Sequence, residues 1–313
     1  MQTAVANAGN PAAFDPQGHL LGPRDGQPRL LHTMLRIADV DRALDFYRDG
    51  LGMTLLDRIE VPDRQATALF VGFDGADRGA PLELVHYHEY DGYTHGTGYG
   101  HVALGVGDLD AAFTHATNKG AEVMLSPGVI APGGPRCAFV RDPDGYAIEL
   151  VQTRRVAQLD DAPVFDPNNV ILGPDDGQRR ILHTMLRIAD LDRARRFYID
   201  GLGMTDRARV EIDFRGGVTA LFVGYDSGDA GRSIELTCYH QPDEPYTHGT
   251  GYGHVAVGVA DIAATVARLA GMGFECTESP SLTHPGAPLR AFVRDPDGYD
   301  VELIENARME QYA

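Results

Sequence analysis

Lysine is almost missing from this chain. Lys119 is the only one among 313 residues, and arginine supplies the rest of the 27 basic groups, against 45 acidic ones. The formal net charge of -18 leaves little basic surface to neutralise phosphates. That argues against general nucleic-acid binding and against docking on anionic membranes. An anionic substrate would have to find a local arginine. Cysteine is scarce too. Cys137, Cys238 and Cys276 are an odd number with no CxxC pair, which gives no disulfide framework or cysteine zinc site and fits a reducing compartment. The stretch MQTAVANAGNPAAF has neither a basic start nor a long apolar run, so it does not read as a secretory signal. No apolar run reaches bilayer-spanning length. A soluble, cytoplasmic protein is the expectation. The length suits roughly two domains, and 43% hydrophobic residues can fill sizeable cores.

What is present is a long repeat. FDPQGHLLGPRDGQPRLLHTMLRIADVDRALDFYRDGLGM begins at Phe14 and is answered by FDPNNVILGPDDGQRRILHTMLRIADLDRARRFYIDGLGM at Phe165. ATALFVGFD, YTHGTGYGHVALGV and AFVRDPDGYAIELVQ have matching partners downstream. The offset grows only from 151 to 153 residues, so the chain reads as two fused copies of one domain, with the seam in the polar stretch from Arg154 to Pro163. The expected division is an N-terminal extension 1–26, a first domain 27–154, a linker 155–177, a second domain 178–306 and a tail 307–313. Within a copy, LLHTMLRI, ATALFVGF, LELVHYH, GHVALGV, RCAFVRD and YAIELVQ read as strands. Asp39 and Asp108 read as N-caps of helices that stop near Gly50 and Gly120. Each copy is then two βαβββ units, and the class is α+β. The GTGYG runs are not a dinucleotide fingerprint, because a strand rather than a helix follows. DPDG is a turn and not a calcium loop.

Several of these strands carry one ionisable residue among apolar neighbours. Alternation puts His32, Met34 and Arg36 on one face and Leu31, Thr33, Leu35 and Ile37 on the other. The same reasoning picks out Glu83, His101 and Glu149 in the first copy and His183, Glu235, His254 and Glu302 in the second. A carboxylate inside an apolar strand is costly unless paired or metal-bound. Any one such residue alone is more often a satisfied polar group, but four recurring in register point to a divalent cation. Two imidazoles with two carboxylates suit nickel, cobalt, zinc, manganese or iron, with coordination positions left open for water or substrate.

The stretches LLHTMLRI, DFYRDGLGM, ALFVGF, LELV, GTGYGHVAL and AFVRDPDGYAIELVQ resemble glyoxalase I, the lactoylglutathione lyase family of the vicinal-oxygen-chelate superfamily, in its short bacterial form doubled into one chain. The resemblance covers nearly all of both copies. It implies curved mixed sheets in two tandem domains, and a pseudo-dimer within one chain that is expected to be a monomer. It implies metal sites built between paired modules: His32 and Glu83 with His254 and Glu302, and His183 and Glu235 with His101 and Glu149. It favours nickel or cobalt, with zinc as a further option. The implied reaction isomerises the hemithioacetal of methylglyoxal and glutathione to S-lactoylglutathione through a metal-bound enediolate, with Glu149 and Glu302 moving the proton. Arg36 and Arg187 resemble the arginine that holds a glutathione carboxylate. Tyr87 and Tyr239 stand where the family commonly has asparagine, so a different thiol or another substrate with adjacent oxygens is an alternative. His95 and His248 are candidates for the pocket rim, with solvent-exposed loop residues the favoured reading. Two other readings come from the same superfamily. An extradiol dioxygenase would use two histidines and one glutamate on iron. A binding protein would have lost the ligands, whereas all eight are kept here.

Overall fold

The structure, a computed structural model, describes residues 27–73, 81–90, 92–130, 134–153, 172, 178–213, 216–225, 232–282 and 289–306. The expected extension 1–26 and tail 307–313 lie outside the described residues, as does the linker 155–177 apart from Leu172.

The chain folds as four quarters of the same βαβββ order. The first holds β1 (Arg29–Arg36), α1 (Val40–Leu44), β2 (Thr54–Val61), β3 (Ala66–Gly72) and β4 (Leu82–Tyr87). The second holds β5 (Tyr99–Val106), α2 (Leu109–Asn118), β6 (Glu122–Val129), β7 (Arg136–Arg141) and β8 (Ala147–Gln152). The third holds β9 (Arg180–Ile188), α3 (Leu191–Arg195), β10 (Thr205–Ile212), β11 (Val218–Gly224) and β12 (Ser233–Tyr239). The fourth holds β13 (Tyr252–Val259), α4 (Ile262–Gly271), β14 (Glu275–Leu282), β15 (Leu289–Arg294) and β16 (Asp300–Glu305). Helices α1 and α3 each run on into a π-helical turn, Asp45–Gly50 and Arg196–Gly201. All four helices start the same way: the carboxylates of Asp39, Asp108, Asp190 and Asp261 accept the backbone N–H three residues on, a cap that contributes about 1 kcal/mol each.

The quarters pair across the copies. One eight-stranded sheet has the order β14-β15-β16-β13-β1-β4-β3-β2, and the other β10-β11-β12-β9-β5-β8-β7-β6. The first quarter therefore shares a sheet with the fourth, and the second with the third. The joints are the antiparallel pairs β1–β13 and β5–β9. One face of each curved sheet, covered by the helices, packs into a single large core that includes Leu35, Ile37, Tyr47, Leu84, Leu104 and Ile148. The other face lines a cup.

The glycine-rich runs serve this pairing. Gly96 and Gly249 have φ of +66° and +67°, a left-handed conformation that costs glycine little. A side chain at Gly96 would strike the Thr247 carbonyl, and one at Gly249 the Thr94 carbonyl. That close approach lets the loops bond to each other: Thr97 N–H donates to Thr247 O and Thr250 N–H to Thr94 O, both at 2.7 Å. Tyr99 stacks on Tyr252 nearby, with ring centroids 5.4 Å apart.

Strict alternation fails at one place in β1. Leu30 is opposite Val257 and His32 is opposite Ala256, which leaves Leu31 as an extra residue. This bulge puts Leu31 with Ala256 and Ile304, on the cup face that also carries His32, rather than on the opposite face. The same bulge recurs in β9, where Leu182 joins Ala103, Cys137 and Val151. An inserted residue turns the strand and lets two successive side chains share one face.

Candidate metal-binding site

Each cup collects two histidines and two glutamates from four different strands. In the first, the His32 Nε2 on β1 lies 3.1 Å from Glu83 Oε2 on β4 and 3.4 Å from Glu302 Oε2 on β16. The His254 Nε2 on β13 lies 3.2 Å from Glu302 and 3.9 Å from Glu83. In the second cup, His183 stands 3.0 Å from Glu235 and 3.5 Å from Glu149, and His101 stands 3.2 Å from Glu149 and 3.8 Å from Glu235. The structure thus brings together the crossed combinations, two residues from each copy per cup. Within each, two histidines and one glutamate offer donor atoms all within 4.8 Å of one another.

The spacing fits a divalent cation. Donors at about 2.1 Å from an octahedral ion sit about 3.0 Å apart when adjacent and about 4.2 Å apart when opposed, and the observed separations fall in that range. The electrostatics fit as well. All four histidines are buried, and the glutamates nearly so, so each cup holds two carboxylates away from water. That is stable only with positive charge between them. In the metal-free protein the histidines supply it. Burial pulls the His32 imidazolium down, but the Glu83 and Glu302 carboxylates outweigh it and raise it to about 9. His183 is raised to about 9 in the same way by Glu149 and Glu235. Burial pushes Glu149 and Glu302 up, yet the bonds from the paired histidines hold both well below the usual carboxylate range. Each histidine ring also meets a phenylalanine edge-on: Phe70, Phe292, Phe139 or Phe222. These rings fix the imidazoles and keep water off their faces.

The remaining expected residues stand around these cups with other duties as well. Arg36 donates through Nη1 to the carbonyls of Thr250 and Tyr252, at 3.0 and 2.9 Å. Arg187 does the same to Thr97 and Tyr99. Both clamp the strand of the opposite copy. Tyr87 packs against the cluster of Met34, Ala66, Ala68, Phe70 and Val85, and Tyr239 has the matching position on β12. His95 and His248 are half-buried braces rather than free loop residues. Their Nε2 atoms lie 2.7 and 2.8 Å from the carbonyls of Asp144 and Asp297, and their rings pack edge-on against Tyr146 and Tyr299. Sequence reasoning passed over Tyr93 and Tyr246, which lie near Arg36 and Tyr87 and near Arg187 and Tyr239 respectively, with burial raising both hydroxyls. The signal was the tyrosine that opens each YTHGTGYG run.

Both copies are similar to known proteins. The family model of the Glyoxalase/Bleomycin resistance protein/Dioxygenase superfamily matches residues 29–150 and again 180–303. The chain belongs to this superfamily. Among its members, the chain is 31% identical over 290 residues to lactoylglutathione lyase GLX1 of Arabidopsis thaliana, covering 91% of this chain and 94% of that one. One copy alone matches the lactoylglutathione lyase of Haemophilus influenzae, at 41% identity over 126 residues that make up 93% of that protein. The crystal structure of glyoxalase I from Zea mays superposes with a TM-score of 0.77 at 29% identity, covering 91% of this chain and 95% of that one. Among the described residues no helix is long and apolar enough to cross a membrane.

Proposed function

We propose that this glyoxalase-superfamily chain is a metal-dependent lactoylglutathione lyase with two sites, converting the hemithioacetal of methylglyoxal and glutathione to S-lactoylglutathione. The observation that carries this reading is the meeting of two histidines and two glutamates in each cup. Lyases of that name match over nearly the whole chain. The eight donors would hold nickel or cobalt, with zinc the next choice, since imidazole and carboxylate in near-octahedral spacing suit these ions. When bound, the cation supplies Lewis-acid stabilisation of charge on two adjacent substrate oxygens.

The protein's own groups do the rest. Glu302 in one cup and Glu149 in the other take the proton from the carbon that bears sulfur and return it to the neighbouring carbonyl carbon, so no redox partner is needed. Phe70 and Phe292, or Phe139 and Phe222, exclude water from that transfer. Arg36 and Arg187 keep guanidinium nitrogens beyond Nη1 for a carboxylate of the thiol. Tyr87 and Tyr239 at the rim make thiol identity the variable to scan. The chain would act in the cytoplasm as a single copy, consistent with its three free cysteines.

The test is to reconstitute metal-free protein with nickel, cobalt or zinc and follow thioester formation from methylglyoxal with glutathione, in parallel with Glu149→Gln, Glu302→Gln and the double variant. Metal-dependent turnover that survives in each single variant and vanishes in the double one supports two working sites. Absence of turnover with every metal, despite metal uptake, overturns the glutathione assignment.

A further inference from the structure

The two cups share their donors but not the wall beside them. In the first cup, β15 sets Arg290 next to the candidate base: its Nη1 lies 3.4 Å from Glu302 Oε1, and its guanidinium sits 5.7 Å from the Phe292 ring centroid. The Arg290 Nε is buried and has no hydrogen-bond partner among the described residues. In the second cup, Cys137 on β7 has the equivalent register. Arg290 is opposite Ile304 and Cys137 is opposite Val151. Cys137 is buried and packs with Ala103, Val151 and Leu182. One strand further out the contrast repeats. Phe292 is opposite Glu278, whereas Phe139 is opposite Leu125. Opposed residues share a face, so Glu278 and Leu125 both extend the wall of their cup.

We propose that the two sites of this chain select different 2-oxoaldehyde adducts. The cup walled by Cys137 and Leu125 takes adducts with bulky apolar substituents, such as an aryl group. The cup walled by Arg290 and Glu278 takes adducts with small or oxygen-bearing substituents. Arg290 is the specificity-determining residue. The inference rests on the reaction proposed above, since the substituent in question is the group that aldehyde carries beside its two oxygens. The physical basis is asymmetric burial. An aromatic ring against leucine and a thiol sheds water from both surfaces. In the first cup the bulkier Arg290 side chain, held beside Glu302 and over Phe292, stands where the second cup has a thiol and leaves a ring less room. An oxygen on the substituent would instead accept from that guanidinium.

Two measurements separate this inference from the reaction itself. The first is calorimetric titration of nickel-loaded protein with benzohydroxamate and acetohydroxamate, chelators with two adjacent oxygens that differ only in the substituent and need no thiol. Benzohydroxamate should bind the two sites with affinities about tenfold or more apart, the order expected when a pocket discriminates several carbon atoms, and acetohydroxamate should bind them nearly alike. Glu302→Gln should keep the tight benzohydroxamate site and Glu149→Gln should lose it. In the Arg290→Cys/Glu278→Leu variant the two benzohydroxamate affinities should merge. The second measurement is the ratio of kcat/KM for phenylglyoxal over methylglyoxal, with glutathione, in the two single-site variants. That ratio should be about tenfold higher in Glu302→Gln than in Glu149→Gln. Equal benzohydroxamate affinities at both sites, or a split that the Arg290→Cys/Glu278→Leu variant leaves unchanged, overturn the inference even if the enzyme turns over. A split without thioester formation upholds the different walls and overturns the reaction. Failure to take up nickel overturns both.

Discussion

The Nε2 atoms of His32 and His254 lie 3.3 Å apart although 222 residues separate them in the chain. His101 and His183 form the same contact at 3.2 Å. Each cup is therefore a joint between copies. The variant His32→Ala/His254→Ala should keep one metal per chain and about half the activity, because both changes fall in one cup. The variant His32→Ala/His101→Ala should lose both metals and essentially all activity, because its changes fall in two. Metal content by elemental analysis and turnover read the difference.

Metal uptake should release protons. His32 and His183 are raised to about 9 in the metal-free protein, so both are protonated at pH 7, while a metal takes the neutral imidazole. Affinity per site should rise about tenfold per pH unit up to about pH 9 and then level off. Calorimetry in buffers of different ionisation enthalpy counts the protons. The sign reverses for stability without metal. These pairs stabilise the fold fully below the ordinary histidine value of 6.5, and the contribution fades as pH rises through 9.

Thr33 and Thr184 tie the two sheets together, their hydroxyl oxygens 2.6 Å apart and both buried. Replacing one by valine should cost about 1–3 kcal/mol, since it leaves the other hydroxyl unpaired away from water. Replacing both should cost less than the larger single change. Urea unfolding of the three variants forms the cycle.

The Asp142 carboxylate, buried beneath the DPDG turn, accepts from the hydroxyl of Tyr47 at 2.8 Å and from the backbone N–H of Tyr146 at 2.7 Å. Burial outweighs these bonds and raises Asp142 to about 7, and Asp295 likewise. The folded protein then holds protons that the unfolded chain gives up near pH 4. Stability from these two groups is complete below about pH 4 and declines as pH rises to 7. Asp142→Asn should flatten that slope by about one proton between pH 5 and 7, measured as thermal unfolding against pH.

The four helices and the strands bearing His32, Glu83, His101 and Glu149 were legible because an aspartate before a helical pattern marks an N-cap and because four polar residues recur in register within apolar strands in both copies. The strands β2 and β6 were not singled out. TLLDRIEV lacks clean alternation, and EVMLSPGV carries a proline and is exposed for most of its length. The bulges at Leu31 and Leu182 were invisible because a bulge depends on the partner strand, not on local composition. The pairing of β1 with β13 entered through family resemblance, since nothing in either strand says which other strand it meets. The braces made by His95 and His248 were missed for the same reason: their acceptors are backbone carbonyls of a turn 49 residues away.

Interleaving the copies has a consequence for how such a protein can change. In a symmetric pair of identical chains, every substitution falls on both centres at once, so a residue that suits one must suit the other. Here the connection between copies holds the halves at an effective concentration of about millimolar, so assembly does not weaken on dilution. The covalent bond also breaks the symmetry. Position 137 can hold cysteine while its equivalent, 290, holds arginine, and each centre can drift toward its own chemistry while the other keeps the first.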